Sequence, residues 1–106
     1  MTRRSDCPIA CTLDLLGDKW TLLVLRDIVI LNKSRFEQFL ESPEKIATDI
    51  LTDRLHKLET AGLINKAPDR SHRFRMAYSA KEKGMSTAPL LKEFALWGLA
   101  NIEGTS

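Results

Sequence analysis

The chain has 106 residues, 43% of them hydrophobic and 28% charged, with five glycines, two cysteines and a formal charge of +2. That length fits one domain, and the composition excludes collagen-like, disordered and disulfide-scaffold classes. The longest apolar run, 22–31, is interrupted by Arg26 and Asp27, well short of the ~18 uncharged residues of a membrane span. The opening MTRRSDCPIA lacks the apolar core of a secretory signal, so a cytoplasmic protein without a membrane partner is expected.

Pro8 suits the first turn of a helix, where its missing N–H is not needed. Ile9, Leu13 and Leu16 then recur at helical spacing, and Gly17 fits the residue after the helix end. Asp18 is placed to cap a second helix, about 19–31, with Trp20, Leu23, Val24 and Ile28 inward. Asn32-Lys33-Ser34 breaks it, and Ser34 is expected to cap a short helix carrying Phe36, Phe39 and Leu40. Ser42-Pro43-Glu44-Lys45 reads as a turn. A fourth helix follows at 48–61, with Thr48 as its N-cap, Leu51, Leu55 and Leu58 as its apolar stripe, and Gly62 as its terminator.

Residues 63–68 read as a short strand and 69–72 as a turn. Residues 73–79 alternate Arg73, Arg75 and Ala77 with Phe74, Met76 and Tyr78, the period of a half-buried strand. A helical pattern resumes at Lys81, with a break or restart at Pro89. Leu90, Leu91, Phe94, Trp97 and Leu99 then give the last helix a broad apolar face. Helices, then a basic hairpin, then a closing helix is the order of a winged helix-turn-helix: mainly α (α+β), a single domain over 1–106, with a two-stranded β wing at about 63–79.

The charge is unevenly placed. Residues 66–83 sum to +4 and the remaining residues to −2, which points to a localised anionic partner. With Leu51, Leu55 and Leu58 inward, the fourth helix turns Thr48, Asp49, Thr52, Asp53, His56 and Lys57 outward. Such side chains read base edges in a major groove, although Asp53 and Lys57 also form an ordinary i, i+4 pair. Arg70, His72, Arg73 and Arg75 crowd the hairpin turn and the strand after it, and guanidinium forks bind phosphate. Arg35 is a further phosphate candidate at the start of the third helix.

The ordered segments CPIACTLDLLGDKWTLLVLRDI, SRFEQFL, IATDILTDRLHKLETAGLI and YSAKEKG resemble the HxlR-type winged helix-turn-helix transcriptional regulators of bacteria, a MarR-like group. The resemblance covers about residues 7–102. It implies a homodimeric regulator of double-stranded DNA, reading a pseudo-palindromic operator, with dimerisation helices at about 7–17 and 86–102. Ile9, Leu13, Leu91, Phe94 and Trp97 are apolar residues in surplus of one small core and fit that contact. By resemblance Arg35, Thr48, Thr52, Arg54 and Lys57 face DNA, with the wing around Arg70–Arg73. Two features depart from the family pattern: the wing is more basic and poorer in proline, and Cys11 stands where a polar or charged residue is usual.

Cys7 and Cys11 with the distant His56 and His72 lack the spacing of a metal site, so no metal and no cofactor are expected. At i, i+4 on a helix, Cβ atoms lie ~5–6 Å apart, too far for the ~3.8 Å of a disulfide. If Pro8 opens the helix, Cys7 is its N-cap, where the helix dipole favours a thiolate. Arg3 and Arg4 would add to this and Asp6 oppose it. In the family the cysteine at this position serves some members as a sensor of oxidants or electrophiles, which makes Cys7 a candidate redox sensor. The alternative is a small packing residue, as Cys11 is expected to be. Two other functions stay open at this point: a protein-interaction module without DNA binding, kept alive by Asp49 and Asp53, and a thiol enzyme, which lacks the adjacent base that nucleophilic catalysis wants. A small-molecule or electrophile effector is a further candidate partner.

Overall fold

A computed structural model describes residues 5–106, the side chain of Arg73 excepted; Arg3 and Arg4 lie outside the described residues. Among the described residues six helices and a hairpin follow one another: α1 Pro8–Leu16, α2 Lys19–Val29, α3 Phe36–Leu40, α4 Thr48–Thr60, β1 Ile64–Asp69, β2 His72–Ala80, α5 Glu82–Met85 and α6 Ala88–Asn101.

The core forms where the apolar stripes of α2, α3 and α4 meet the start of the hairpin. Val24, Leu25, Ile28, Phe39, Leu51, Leu55, Leu58, Leu63 and Ile64 are buried together, the 3.6-residue spacing of the α4 leucines turning all three onto one face. Leu91 joins them from α6 at 8% exposure. Leu91 is therefore part of this chain's own core and not surplus surface, a correction to its place among the dimer residues.

The helix ends follow local chemistry. Pro8 stands at the first helical position of α1, with Cys7 as N-cap. Asp18 caps α2 by accepting from the Thr21 amide at 3.0 Å. Two expected caps move by one residue. The cap of α3 is Arg35 and not Ser34, because the Gln38 side chain reaches back to accept from the Ser34 and Arg35 amides, both at 2.9 Å. The cap of α4 is Ala47, and Thr48 is already helical. At the far end of α4, Gly62 takes φ +81°. Its amide reaches the Glu59 carbonyl and the Leu63 amide reaches Leu58, both at 3.0 Å, a Schellman closure that favours glycine.

β1 and β2 pair antiparallel from Ile64↔Ala80 to Pro68↔Met76, and then Asp69↔His72. Residues 73–75 of β2 thus have no counterpart in β1. Asp69 Oδ1 accepts from both the amide and the hydroxyl of Ser71 at 3.0 Å, which fixes the Arg70-Ser71 turn. The base of the hairpin is anchored: the Tyr78 amide donates to the Ser34 carbonyl at 2.7 Å, and the Tyr78 ring stands edge-on to Phe39 at 6.2 Å. Beyond Tyr78 the strand leaves the body. Met76 and Phe74 are both exposed, so the alternation that marks a half-buried strand is realised only in its second half.

Candidate nucleic-acid interface

The helix-turn-helix is α3, the turn 41–47 and α4, and the C-terminal half of α2 holds that turn. Asp27, 3% exposed, accepts from Ser42 Oγ at 2.6 Å and from Arg26 Nη2 at 2.8 Å. Lys33 Nζ donates to Ser42 Oγ at 2.6 Å. Arg26 also forks onto Glu44, with both contacts at 2.8 Å, the bidentate geometry that makes such pairs strong. That fork holds the Glu44 carboxyl below the usual carboxylate range. With Lys33 Nζ also 3.7 Å from its Oδ2, the buried carboxylate of Asp27 is met by Arg26, Ser42 and Lys33, as a charge in a core must be.

On α4 the outward residues are those expected: Thr48, Asp49, Thr52, Asp53, His56 and Lys57 are exposed. Thr52 Oγ1 donates back to the Thr48 carbonyl at 3.0 Å. Asp53 sits between two cations, 3.2 Å from Lys57 and 2.6 Å from Arg54, and these pull its carboxyl down, Lys57 most. Its charge is thereby balanced within the helix. Arg54 is turned away from the open face: its Nε donates to Asp18 at 2.7 Å. The Arg54 hydrogen bond is the main reason the Asp18 carboxyl is lowered to about 2.

In the wing, Arg70 and His72 are exposed at the turn. Arg75 donates to Glu37 at 3.2 Å, and Arg35 stands 3.8 Å from the same carboxylate. Glu37 therefore ties the hairpin to the start of α3 and brings Arg35 beside it. The arrangement places an open polar helix face, a helix start with Arg35, and a cationic hairpin on connected elements. Among the described residues no three His, Cys, Asp or Glu side chains gather to hold a metal ion, and no helix is long and apolar enough to cross a membrane.

Sequence reasoning did not find the Asp18–Arg54, Asp27–Ser42–Lys33 or Arg26–Glu44 contacts. Each partner is an ordinary polar residue in its own segment, and 15 to 36 residues separate the ends of the direct contacts Asp27–Ser42, Arg26–Glu44 and Asp18–Arg54.

The fold and these surfaces define a winged helix-turn-helix DNA-binding protein. The model of the HxlR-like helix-turn-helix family matches residues 15–106, and the chain belongs to that family. YdzF of Bacillus subtilis (strain 168), named an uncharacterized HTH-type transcriptional regulator, is 28% identical over 100 residues, covering 94% of this chain and 92% of its own. The solved structure of PA1607 superposes with a TM-score of 0.86 at 31% identity, over 98% of this chain and 72% of that one. The redox regulator HypR in its reduced form superposes with a TM-score of 0.80 at 28% identity, over 92% of this chain and 95% of that one. The chain is accordingly a DNA-binding transcriptional regulator and not an enzyme.

Proposed function

We propose that the regulator works as a homodimer joined through α1 and α6. The observation that carries this is an apolar groove of about 460 Å³ lined by Pro8, Ile9, Leu13, Leu22, Leu90 and Phe94. Ile9, Leu13 and Phe94 are more than half exposed in it, and so is Trp97, three residues after Phe94 on α6. A contiguous apolar surface of this kind marks an interaction site, and a two-fold axis lets one patch serve both copies. Thr48, Asp49, Thr52, Asp53, His56 and Lys57 of each α4 would then face the major groove, with Arg35, Arg70, His72 and Arg73 on phosphate, and Arg54 as the strut that sets the angle of α4. The two half-sites of a pseudo-palindromic operator would lie about 34 Å apart.

Sedimentation and operator binding of the parent chain and Leu13→Asp test this reading. The parent should sediment as a dimer with steep salt dependence of binding. The variant should be monomeric and weak on two half-sites, yet folded. A monomeric parent with full affinity would sink the proposal.

Cys7 is the candidate redox or electrophile sensor. It is an exposed free thiol at the N-cap of α1, beside the dimer face. Its amide donates to Ser5 Oγ at 3.0 Å, and Cys11 Sγ lies 3.3 Å from the Ser5 carbonyl. HypR, which shares the fold, is known as a redox regulator in reduced and oxidised forms. Diamide should alter operator occupancy of the parent and leave Cys7→Ser unaffected; equal responses would remove the sensor role.

A further inference from the structure

Phe74 is 81% exposed, more than any other large apolar side chain among the described residues. By alternation it belongs with Met76 and Tyr78, but the body of the protein reaches only Tyr78. Residues 73–75 have no partners across the hairpin, so the strand carries the phenyl ring out where this chain offers it little cover. The His72 ring stands edge-on to it at 6.2 Å, which gives the ring a defined neighbour and not a buried site.

Three features of the surroundings select its partner. The hairpin around it is cationic: Lys66, Arg70 and Arg75 are exposed and Arg73 adjoins it in sequence. A polyanion is attracted there, whereas the same hairpin of a second copy is repelled. The base of the hairpin is tied to the body by the Arg75–Glu37 and Tyr78–Ser34 contacts, and the Asp69–Ser71 hydrogen bonds close its turn. The ring is thus carried on a hairpin whose base is already tethered, which lowers the ordering cost on binding. It is also continuous with the DNA-reading surface, because Glu37 joins Arg75 to the α3 start that carries Arg35.

We propose that Phe74 is an apolar wedge for the DNA minor groove beside the half-site read by α4. This rests on the reading that α4 occupies the major groove. A phenyl ring gains nothing from phosphate, but the walls and floor of a minor groove offer deoxyribose faces and base-step edges. That groove is about 6 Å wide, and the strands of a hairpin lie about 4.8 Å apart, so the edge of the wing fits it with one side chain leading. Apolar wedges partly unstack a base step, most easily at pyrimidine–purine steps. The wing would thereby add sequence preference outside the base pairs that α4 touches.

The test uses the full chain and duplexes recovered by in vitro selection on it, rebuilt with either a TA or a GG step at each position flanking the protected region. Phe74→Ala should weaken TA-flanked duplexes roughly tenfold and GG-flanked duplexes less than about twofold, without changing the salt slope, since no phosphate contact is lost. Phe74→Trp should restore the preference. Circular dichroism of both variants should match the parent, because the ring lies outside the core. Unchanged affinity of Phe74→Ala, or an equal loss on both flanks, would overturn the wedge while leaving the α4 reading intact. Failure of the parent chain to bind any duplex would instead overturn the reading on which the wedge rests.

Discussion

Arg54 Nε donates to Asp18 Oδ2 at 2.7 Å, while the same carboxylate oxygen caps α2 through the Thr21 amide at 3.0 Å. One acidic side chain thus joins the junction of α1 and α2 to the middle of α4. Asp18→Ala removes the cap and the strut together. It should lower stability by about 1 kcal/mol for the cap, read from the urea midpoint, and weaken operator binding. Asp18→Asn keeps a capping oxygen and should cost less stability. Operator affinity equal to the parent's in Asp18→Ala would show that α4 needs no strut.

Acid should weaken the fold through the same residue. The Asp18 carboxyl drops from its ordinary value of 3.8 to about 2 in the folded chain, chiefly through the Arg54 hydrogen bond. A folded value below the unfolded one means that the ionised form favours folding. The contribution is complete above about pH 4 and disappears as the pH falls toward about 2. Glu44, held down by Arg26, shifts in the same direction. Urea midpoints measured across this range should fall for the parent and fall less for Asp18→Asn.

Ser42→Ala should be among the more damaging single changes on the helix-turn-helix. It removes the 2.6 Å donor to buried Asp27 and the acceptor for Lys33 together. Leaving a buried charged group short of a partner costs about 1–3 kcal/mol or more. Thermal unfolding measures the loss, and Ser42→Thr, which retains the hydroxyl, should recover part of it.

Gly84→Ala should destabilise through a backbone clash. A Cβ at Gly84 would overlap the Leu63 carbonyl oxygen, which also accepts from the Lys81 amide at 2.9 Å. The backbone cannot withdraw without breaking that bond, and overpacking of this kind costs about 1–3 kcal/mol. Gly98→Ala, inside α6 where an added Cβ meets nothing within 4 Å, is the control and should raise stability by about 0.5–1 kcal/mol in the same urea titration.

Trp97 should report assembly. It is 64% exposed on α6 within one chain, and burial in the proposed dimer would move its emission to shorter wavelength. The emission should shift blue with rising protein concentration in the parent and stay red in Leu13→Asp, with Trp20 contributing the same background to both.

The secondary structure, the core stripe of α4 and the basic hairpin were legible because they depend on local rules. Leu51, Leu55 and Leu58 recur at the helical period, Pro8 and Gly62 punctuate helix ends, and Arg70 and His72 sit in a turn marked by Asp69 and Ser71. The outward face of α4 followed from that stripe. Cap positions were less legible at Ser34 and Thr48, because a side chain three residues on, Gln38, competes for the same amides, and because helical geometry accepts an uncapped Ala47.

What the sequence by itself determined is therefore the list of elements, their order, and the side chains that α4 turns outward. The reason is that helical and strand periods act over a few residues. Only the tertiary structure decided that Leu91 belongs to the core, that Arg54 is spent on Asp18, that Asp27 is enclosed by Ser42 and Lys33, and that Phe74 projects from the wing. These depend on which segments meet and on how far a strand extends past the body it packs against, and neither distance is encoded in the local pattern.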